Sequence, residues 1–236
     1  RWGTDGKGNT TYNYNADRSM GGTIGMQSGS TFKAFVLAAA IEQGIPASER
    51  MFAPGMGSFL GFSNCTDGAK FPEYVARNAH LEGGIYNMRT ATARSVNTYF
   101  VGLEQRTGIC RPADIAEALG MQTGNGAKLA RVPSFTLGAN EVSPMRLANA
   151  YATFAAHGLY CEPRAILDIT DRDGNHLPVP PMACNQVLER KVADGVTELL
   201  HGVIEGNLYG RTGAGMSLGR DSAGKTGTTN NSAAVW

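Results

Sequence analysis

The chain lacks a long apolar run and carries almost no net charge. Its longest apolar stretch, residues 35–41, is far too short to span a bilayer. Its 21 basic and 20 acidic residues leave a formal charge of +1, which does not indicate a nucleic-acid partner or an acidic membrane surface. No signal-peptide pattern is visible. With 236 residues, the chain is long enough for one domain, or for one domain with a subdomain.

Cysteine is scarce, and no C-x-x-C pair occurs among the four cysteines. The four histidines show no metal-ligand spacing, so the sequence predicts no metal and no cofactor. Four cysteines allow three pairings. We favour Cys65–Cys110 with Cys161–Cys184, because the second disulfide would close off a predicted hairpin. Two disulfides would indicate an oxidising, extracytoplasmic compartment, and four buried free thiols are the alternative.

The chain reads as helices separated by glycine-rich loops. Helical spacing predicts helices over 30–43, over 88–105 with a turn at Ser95, from Pro112 to about Gly120, from Ser143 to Gly158, and over 188–204. Residues 34–41 are nearly uncharged and apolar on all sides, which predicts a buried helix. Residues 1–29 and 44–84 are predicted to be irregular. A hairpin turn at 173–174, a loop over 206–224, a strand over 225–229, a turn at 230–231 and a returning strand over 233–236 complete the prediction.

Three short motifs follow one another: S-x-x-K at 30–33, S-V-N at 95–97 and K-T-G at 225–227. Each is weak alone, but the three in this order are specific. Ser30 and Lys33 would lie one helical turn apart on the same face. Lys33 can take the Ser30 proton only when it is neutral, and burial together with Lys225 as a second cation would lower its pKa.

The other motif residues suggest the remaining roles in the chemistry. Ser95 can relay a proton to a leaving amine, and Asn97 can hold the substrate amide or Lys33. The N–H groups of Ser30 and Thr228 can form an oxyanion hole. We therefore take Ser30, Lys33, Ser95, Asn97 and Lys225 as the catalytic residues. Lys225, Thr226 and Thr228 can receive a substrate carboxylate, and Gly227 would leave room for a substrate beside the strand.

Several other residues, and one further motif, have more than one possible role. A structural salt bridge, a packing contact or a solvated face explains four residues at least as well as substrate contact does, so we leave them out of the site: Glu73, Arg94, Tyr99 and Arg211. Residues 219–226 also match the phosphate-loop pattern G-x-x-x-x-G-K-T in full. A phosphate loop follows an apolar strand and opens a helix, whereas a polar loop precedes this segment and a poor helix start follows it. We therefore do not predict nucleotide binding.

The residues in and around the three motifs resemble those of a known protein family. The segments G-S-T-F-K-A-F at 29–35, S-V-N-T at 95–98 and G-K-T-G-T-T-N at 224–230 are similar to the transpeptidase domain of penicillin-binding proteins, in particular the bifunctional class A group. The segments 133–138, 141–144 and 148–154 resemble the same family, and the cysteine placement is similar to that of actinobacterial members. The resemblance covers nearly the whole chain.

The resemblance implies a mixed α/β fold of the α+β kind, β-lactamase/transpeptidase-like, with an antiparallel sheet flanked by helices and an all-helical subdomain. Ser30 would lie at their junction. Residues 1–236 would form one transpeptidase domain that is incomplete at both ends and has no glycosyltransferase segment. The implied location is the extracytoplasmic face of the bacterial cell membrane, with a tether outside this chain.

The resemblance also implies the activity. Ser30 would be acylated by a peptidoglycan stem peptide ending in D-Ala-D-Ala, and an amine from a neighbouring stem would complete the cross-link. β-Lactam antibiotics would mimic the donor. A D,D-carboxypeptidase and a β-lactam sensor domain are the alternatives. A class A β-lactamase is disfavoured, because its E-x-x-L-N context is missing between Asn97 and Lys225.

Overall fold

The computed structural model describes residues 3–229 and residue 236, and within them it contains six α-helices and twelve short strands. The helices are α1 (Lys33–Glu42), α2 (Met88–Arg94), α3 (Asn97–Thr107), α4 (Cys110–Ala118), α5 (Pro144–Ala155) and α6 (Arg190–Ile204). The strands are β1 (Asn13–Asp17), β2 (Gly22–Thr23), β3 (Met26–Gln27), β4 (Met51–Ala53), β5 (Met56–Phe59), β6 (Tyr74–Arg77), β7 (Gly84–Tyr86), β8 (Glu141–Val142), β9 (Leu159–Cys161), β10 (Ile169–Thr170), β11 (His176–Leu177) and β12 (Cys184–Gln186). The mixed helix-and-sheet class predicted from the sequence is confirmed.

Helix α1 forms the centre of the core. Every residue from Lys33 to Ala40 is buried, and α3, α4 and α6 pack around the helix. A helix that is apolar on all sides is stable only inside a core, so the predicted burial is confirmed. The 3-10 turn Gly29–Phe32 leads into α1. The helix ends before Gly44, whose φ of +76° is the left-handed conformation that glycine adopts without strain.

The other predicted helices are also present. Helices α2 and α3 are separated at Ser95 and Val96, as the sequence predicted. Helix α4 carries Pro112 in its first turn, where a missing N–H costs nothing. Helix α5 begins at Pro144, and the Ser143 hydroxyl accepts a hydrogen bond from the N–H of Arg146. The four helical segments are therefore placed by local signals.

The strands pair two by two. Strand β1 pairs with β2 in parallel, and the antiparallel pairs are β3 with β8, β4 with β7, β5 with β6, β9 with β12 and β10 with β11. Within the described residues, no helix is both long and apolar enough to cross a bilayer.

The prediction of irregular structure over 1–29 and 44–84 was wrong. The first segment contains β1, β2 and β3, and the second contains β4, β5 and β6. These strands have two to five residues, too few to show a clear alternation of polar and apolar side chains. Their hydrogen-bond partners lie elsewhere in the chain. Met26 pairs with Val142, for example, and such a partner cannot be read from the strand's own residues.

Both predicted disulfides are present. Cys161 in β9 is bonded to Cys184 in β12, and the β10–β11 hairpin lies between them in sequence, as predicted. Cys65 is bonded to Cys110, the first residue of α4. These two disulfides include all four cysteines of the sequence. The hairpin turn predicted at 173–174 lies between β10 and β11, which have two residues each.

Candidate active site

Ser30 lies in the 3-10 turn that leads directly into α1. Its side chain is half-buried, while Lys33, one turn further on, is fully buried. The chain reaches this turn through Gly29, whose φ is +60°. The Ser30 hydroxyl is therefore partly accessible, and it lies one helical turn before Lys33, which is enclosed by the core.

The ammonium group of Lys33 is held by the S-V-N motif. Its Nζ donates to the carbonyl oxygen of Ser95 at 2.7 Å, to the side-chain oxygen of Asn97 at 2.7 Å and to Ser95 Oγ at 3.1 Å. The ring of Phe100 lies 5.2 Å from the same nitrogen. Among the described residues, no hydrogen bond joins the Ser30 hydroxyl to Lys33. Such bonds are often long in unliganded enzymes and tighten when substrate binds.

The backbone of Ser95 explains this arrangement. Ser95 ends α2 in the left-handed conformation, with φ 56° and ψ 40°. A residue other than glycine rarely adopts it, and it costs free energy that the surrounding contacts must offset. The conformation breaks the helix, and the Ser95 carbonyl meets Lys33. The predicted turn between two helical pieces is therefore confirmed.

Lys225 approaches the same serine from the opposite end of the chain. Its Nζ donates to Ser95 Oγ at 2.8 Å and to the carbonyl oxygen of Thr226 at 2.9 Å. Lys225 is 8% exposed. The hydroxyl of Ser95 therefore lies between two lysine ammonium groups, and the structure brings Lys33, Ser95, Asn97 and Lys225 together.

Burial changes the protonation of both lysines. It lowers the pKa of Lys225 to about 7, because a charged ammonium loses hydration inside the protein. Burial also lowers the pKa of Lys33 well below its usual value, and the positive charge of Lys225 lowers it further. Lys33 can therefore exist as a neutral amine at a pH where an exposed lysine is charged.

The K-T-G segment lies directly against the turn that carries Ser30. A Cβ atom on Gly227 would lie 2.1 Å from the carbonyl oxygen of Ser28, and one on Gly29 would lie 2.5 Å from that of Thr228. The space beside Gly227 is thus filled by the protein's own turn. This reason for the glycine differs from the predicted one, which was room for a substrate.

The segment 225–229, predicted as a strand, forms no continuous strand among the described residues. Gly227 and Trp236 exchange two backbone hydrogen bonds, at 2.8 and 2.9 Å, which is the pairing expected of a returning strand. The predicted turn at 230–231 and residues 233–235 of the returning strand lie outside the described residues. The Thr226 hydroxyl donates to the Thr212 hydroxyl at 2.7 Å, which ties the segment to the preceding loop.

Two clefts meet at Ser30. The first has a volume of about 570 Å³ and is lined by all three motifs, through Ser30, Ser95, Asn97, Thr226 and Thr228. The second has a volume of about 760 Å³ and shares Ser30, Asn97 and Thr228 with the first. It extends along β6 and the segment 134–139. A substrate bound in either cleft would therefore reach the Ser30 hydroxyl.

Asn78 is a site residue that sequence reasoning missed. It lines both clefts. Its side-chain oxygen accepts from the Thr98 N–H at 3.0 Å, and its side-chain nitrogen donates to the carbonyls of Pro54 and Glu82 at 3.1 and 2.8 Å. It thus connects the start of α3 to the strands around the cleft. Its neighbours in sequence form no motif, so no local signal could have found it.

The four residues left open by the sequence are now placed. Arg94 is exposed and lines the first cleft, with its Nε donating to the Tyr209 carbonyl at 3.1 Å. The other three line neither cleft: Glu73 accepts from the Ser58 hydroxyl, Tyr99 is buried in the core, and Arg211 donates to the Ile204 carbonyl. Within the described part of the chain, no three histidine, cysteine or acidic side chains come together as metal ligands do.

Comparisons with known proteins agree with this geometry. A family model described as "Penicillin binding protein transpeptidase domain" matches residues 6–234. Penicillin-binding protein 1A of Mycobacterium tuberculosis is 33% identical over 92% of this chain and 27% of its own length. The chain therefore spans about a quarter of that curated relative.

Two solved structures from Mycobacterium tuberculosis are similar. The penicillin-binding protein PonA1 has a TM-score of 0.64 and 30% identity, with 87% of this chain and 53% of that chain covered. A ceftriaxone acyl-enzyme complex of penicillin-binding protein A has a TM-score of 0.67 at 24% identity, covering 86% of this chain and 47% of that one. The second likeness shows the fold alone.

Proposed function

The chain belongs to the penicillin-binding protein transpeptidase family, and on that premise we propose that it is a serine-acylating D,D-transpeptidase that cross-links peptidoglycan stem peptides ending in D-Ala-D-Ala. The observation that carries the proposal is the Ser95 hydroxyl held between Lys33 and Lys225, at 3.1 and 2.8 Å. Of these two buried amines, Lys33 follows Ser30 by one helical turn.

The first half of the reaction acylates Ser30. Neutral Lys33 takes the hydroxyl proton, and Ser30 Oγ attacks the carbonyl carbon of the penultimate D-Ala. The N–H groups of Ser30 and Thr228 stabilise the oxyanion. The close approach of the Gly29 and Thr228 backbones supports this role. Ser95 passes a proton to the amine of the departing D-Ala, and Lys225 supplies the positive charge beside it.

The second half transfers the acyl group to an amine. The larger of the two clefts supports this step, because it is lined by Ser30 but not by Thr226 or Thr212, which line the other cleft. Thr226 and Thr228, with Lys225, are the proposed contacts for the donor carboxylate, and Asn97 is the proposed contact for its amide. A β-lactam would enter the donor cleft and acylate Ser30 in the same way, and the ceftriaxone acyl-enzyme of a protein with the same fold supports this.

We propose an extracytoplasmic location for this reaction, at the face of the bacterial cell membrane where the cell wall is built. Two disulfides support it, since disulfides persist in oxidising compartments. Tethering through a part of the protein outside this chain stays a prediction.

Intact-protein mass after incubation with benzylpenicillin tests the nucleophile. We expect one covalent adduct per chain that persists, and no adduct on Ser30→Ala. A folded protein that gains no adduct would contradict the proposal. Rapid hydrolysis of the adduct, with many turnovers per minute, would instead indicate a β-lactamase.

A second assay separates the transpeptidase from its alternatives. A synthetic peptide ending in D-Ala-D-Ala is supplied with and without a D-amino acid as acceptor amine. We expect an exchanged product in which the acceptor replaces the terminal D-Ala. Hydrolysis that the acceptor leaves unchanged would indicate a D,D-carboxypeptidase, and acylation without either product would indicate a sensor domain.

A further inference from the structure

Glu104 is a buried carboxyl group that the proposed reaction does not use. It lies on α3, seven residues beyond Asn97, and its side chain is 0% exposed. Its Oε1 accepts the backbone N–H of Thr136 at 3.1 Å, and its Oε2 has no hydrogen-bond partner among the described residues. Burial raises the pKa of Glu104 well above its usual value, because a charged carboxylate loses hydration inside the protein.

Thr136 belongs to the 3-10 turn Phe135–Leu137, which lies against the turn that carries Ser30. A Cβ atom on Gly138 would lie 2.1 Å from the carbonyl oxygen of Gly29, so the two backbones are in direct contact. The rings of Phe135 and Phe32 pack edge to face, with centroids 5.1 Å apart. The 3-10 turn that Glu104 binds therefore packs directly against the turn that carries Ser30.

The same turn forms part of the second cleft. Ser134 and Leu137 line this cleft together with Ser30. A shift of the 3-10 turn would thus move a wall of the cleft and the backbone next to the nucleophile at once.

The choice of residue at position 104 is informative. A buried acid costs free energy that an apolar side chain of the same size would not, so packing does not explain it. The Glu104 carboxyl offers an acceptor to the buried Thr136 N–H, which a helix side chain without oxygen would leave unsatisfied. The side-chain oxygen is therefore the property that matters at Glu104.

We infer that Glu104 is a positioning residue for the nucleophile, a role that rests on the proposed function of Ser30. Its Oε1 fixes the 3-10 turn Phe135–Leu137 through Thr136, and that turn fixes Gly29 and Ser30. Misplacing a nucleophile by a fraction of an ångström slows acylation more than it weakens binding of the acyl donor.

Benzylpenicillin acylation kinetics of the full chain test the inference, with the rate constant at saturation separated from the binding constant. Glu104→Gln keeps the acceptor oxygen, and we expect its rate constant to stay within about twofold of the parent. Glu104→Met removes the acceptor at similar volume, and we expect a loss on the order of tenfold in the rate constant with little change in binding. Leu119→Ala, at the end of α4, is the control for a general loss of stability.

The possible outcomes separate cleanly. If Glu104→Met is folded and acylates like the parent, or if Leu119→Ala slows acylation as much at a similar melting temperature, Glu104 only stabilises the fold. Should Glu104→Met fail to fold, Glu104→Asp withdraws the carboxyl by one methylene and must show the same loss. If neither variant folds, or if Glu104→Gln is as slow as Glu104→Met, the inference is rejected. A parent protein without any adduct would overturn the proposed function itself.

Discussion

Removing the positive charge of Lys225 should raise the pKa of Lys33 and move acylation to higher pH. Both ammonium nitrogens bond to Ser95 Oγ, at 2.8 and 3.1 Å, so the two nitrogens are separated by no more than the sum of these distances, 5.9 Å. At an effective dielectric constant of about 20, two unit charges at that separation repel by about 3 kcal/mol. This repulsion disfavours the charged form of Lys33 and lowers its pKa.

The direction of the pKa shift of Lys33 depends on which of its protonation forms the neighbouring charge disfavours. A cation next to Lys33 disfavours the protonated form and lowers its pKa, so loss of that cation raises it. The pKa of Lys225 is itself about 7, so its charge acts fully on Lys33 below that pH. Since neutral Lys33 is the proposed base, the acid side of the acylation profile should move to higher pH in Lys225→Gln.

The assay is the acylation rate constant at saturating benzylpenicillin, measured from about pH 5 to about pH 9. Lys225→Arg is the matched control, because arginine stays charged over this range and should leave the acid side in place or move it to lower pH. Equal profiles for the two variants, or an unmoved profile for Lys225→Gln, would refute the coupling between the two lysines.

Three further predictions concern packing and cross-linking. Gly227→Ala would place a Cβ 2.1 Å from the Ser28 carbonyl, and we expect a loss of about 3 kcal/mol or more by chemical denaturation, together with slower acylation. Asn78→Ala removes the acceptor of a buried N–H and the donor to two carbonyls. The Asn78→Ala substitution should lower the free energy of unfolding by about 2 to 3 kcal/mol and also slow acylation. A loss of stability with an unchanged acylation rate would show that Asn78 does not contribute to the site. Replacing both Cys65 and Cys110 by serine opens a loop across 45 residues and should cost about 4 kcal/mol. An unchanged denaturation midpoint would show that the disulfide is not needed.

Much of the helical structure could be predicted because its signals are local. Pro144 after Ser143 marks a helix start, and the uncharged run after Lys33 marks a buried helix. The strands were the weak part of the prediction. Strands such as β3, with two residues, acquire their conformation from a partner that is distant in sequence, so no pattern within them indicates it.

The candidate site divides in the same way. The order of the three motifs predicted which side chains would lie together, and the structure brings Lys33, Ser95 and Lys225 into contact. The sequence did not identify Asn78 or Glu104, because each acts through backbone groups of residues such as Thr98 and Thr136 that lie 20 or more positions away.

Residue type and short spacing were enough to indicate the family, the buried helix α1 and the candidate catalytic residues. The contact of Lys33 and Lys225 with one hydroxyl could be seen only in the folded chain, because 62 and 130 residues separate them from Ser95. The tertiary structure also decided that Gly227 makes room for the Ser28 backbone. The physical reason is that pKa shifts and steric limits depend on distances of a few ångströms and on burial. Those quantities exist only once packing has brought distant segments together.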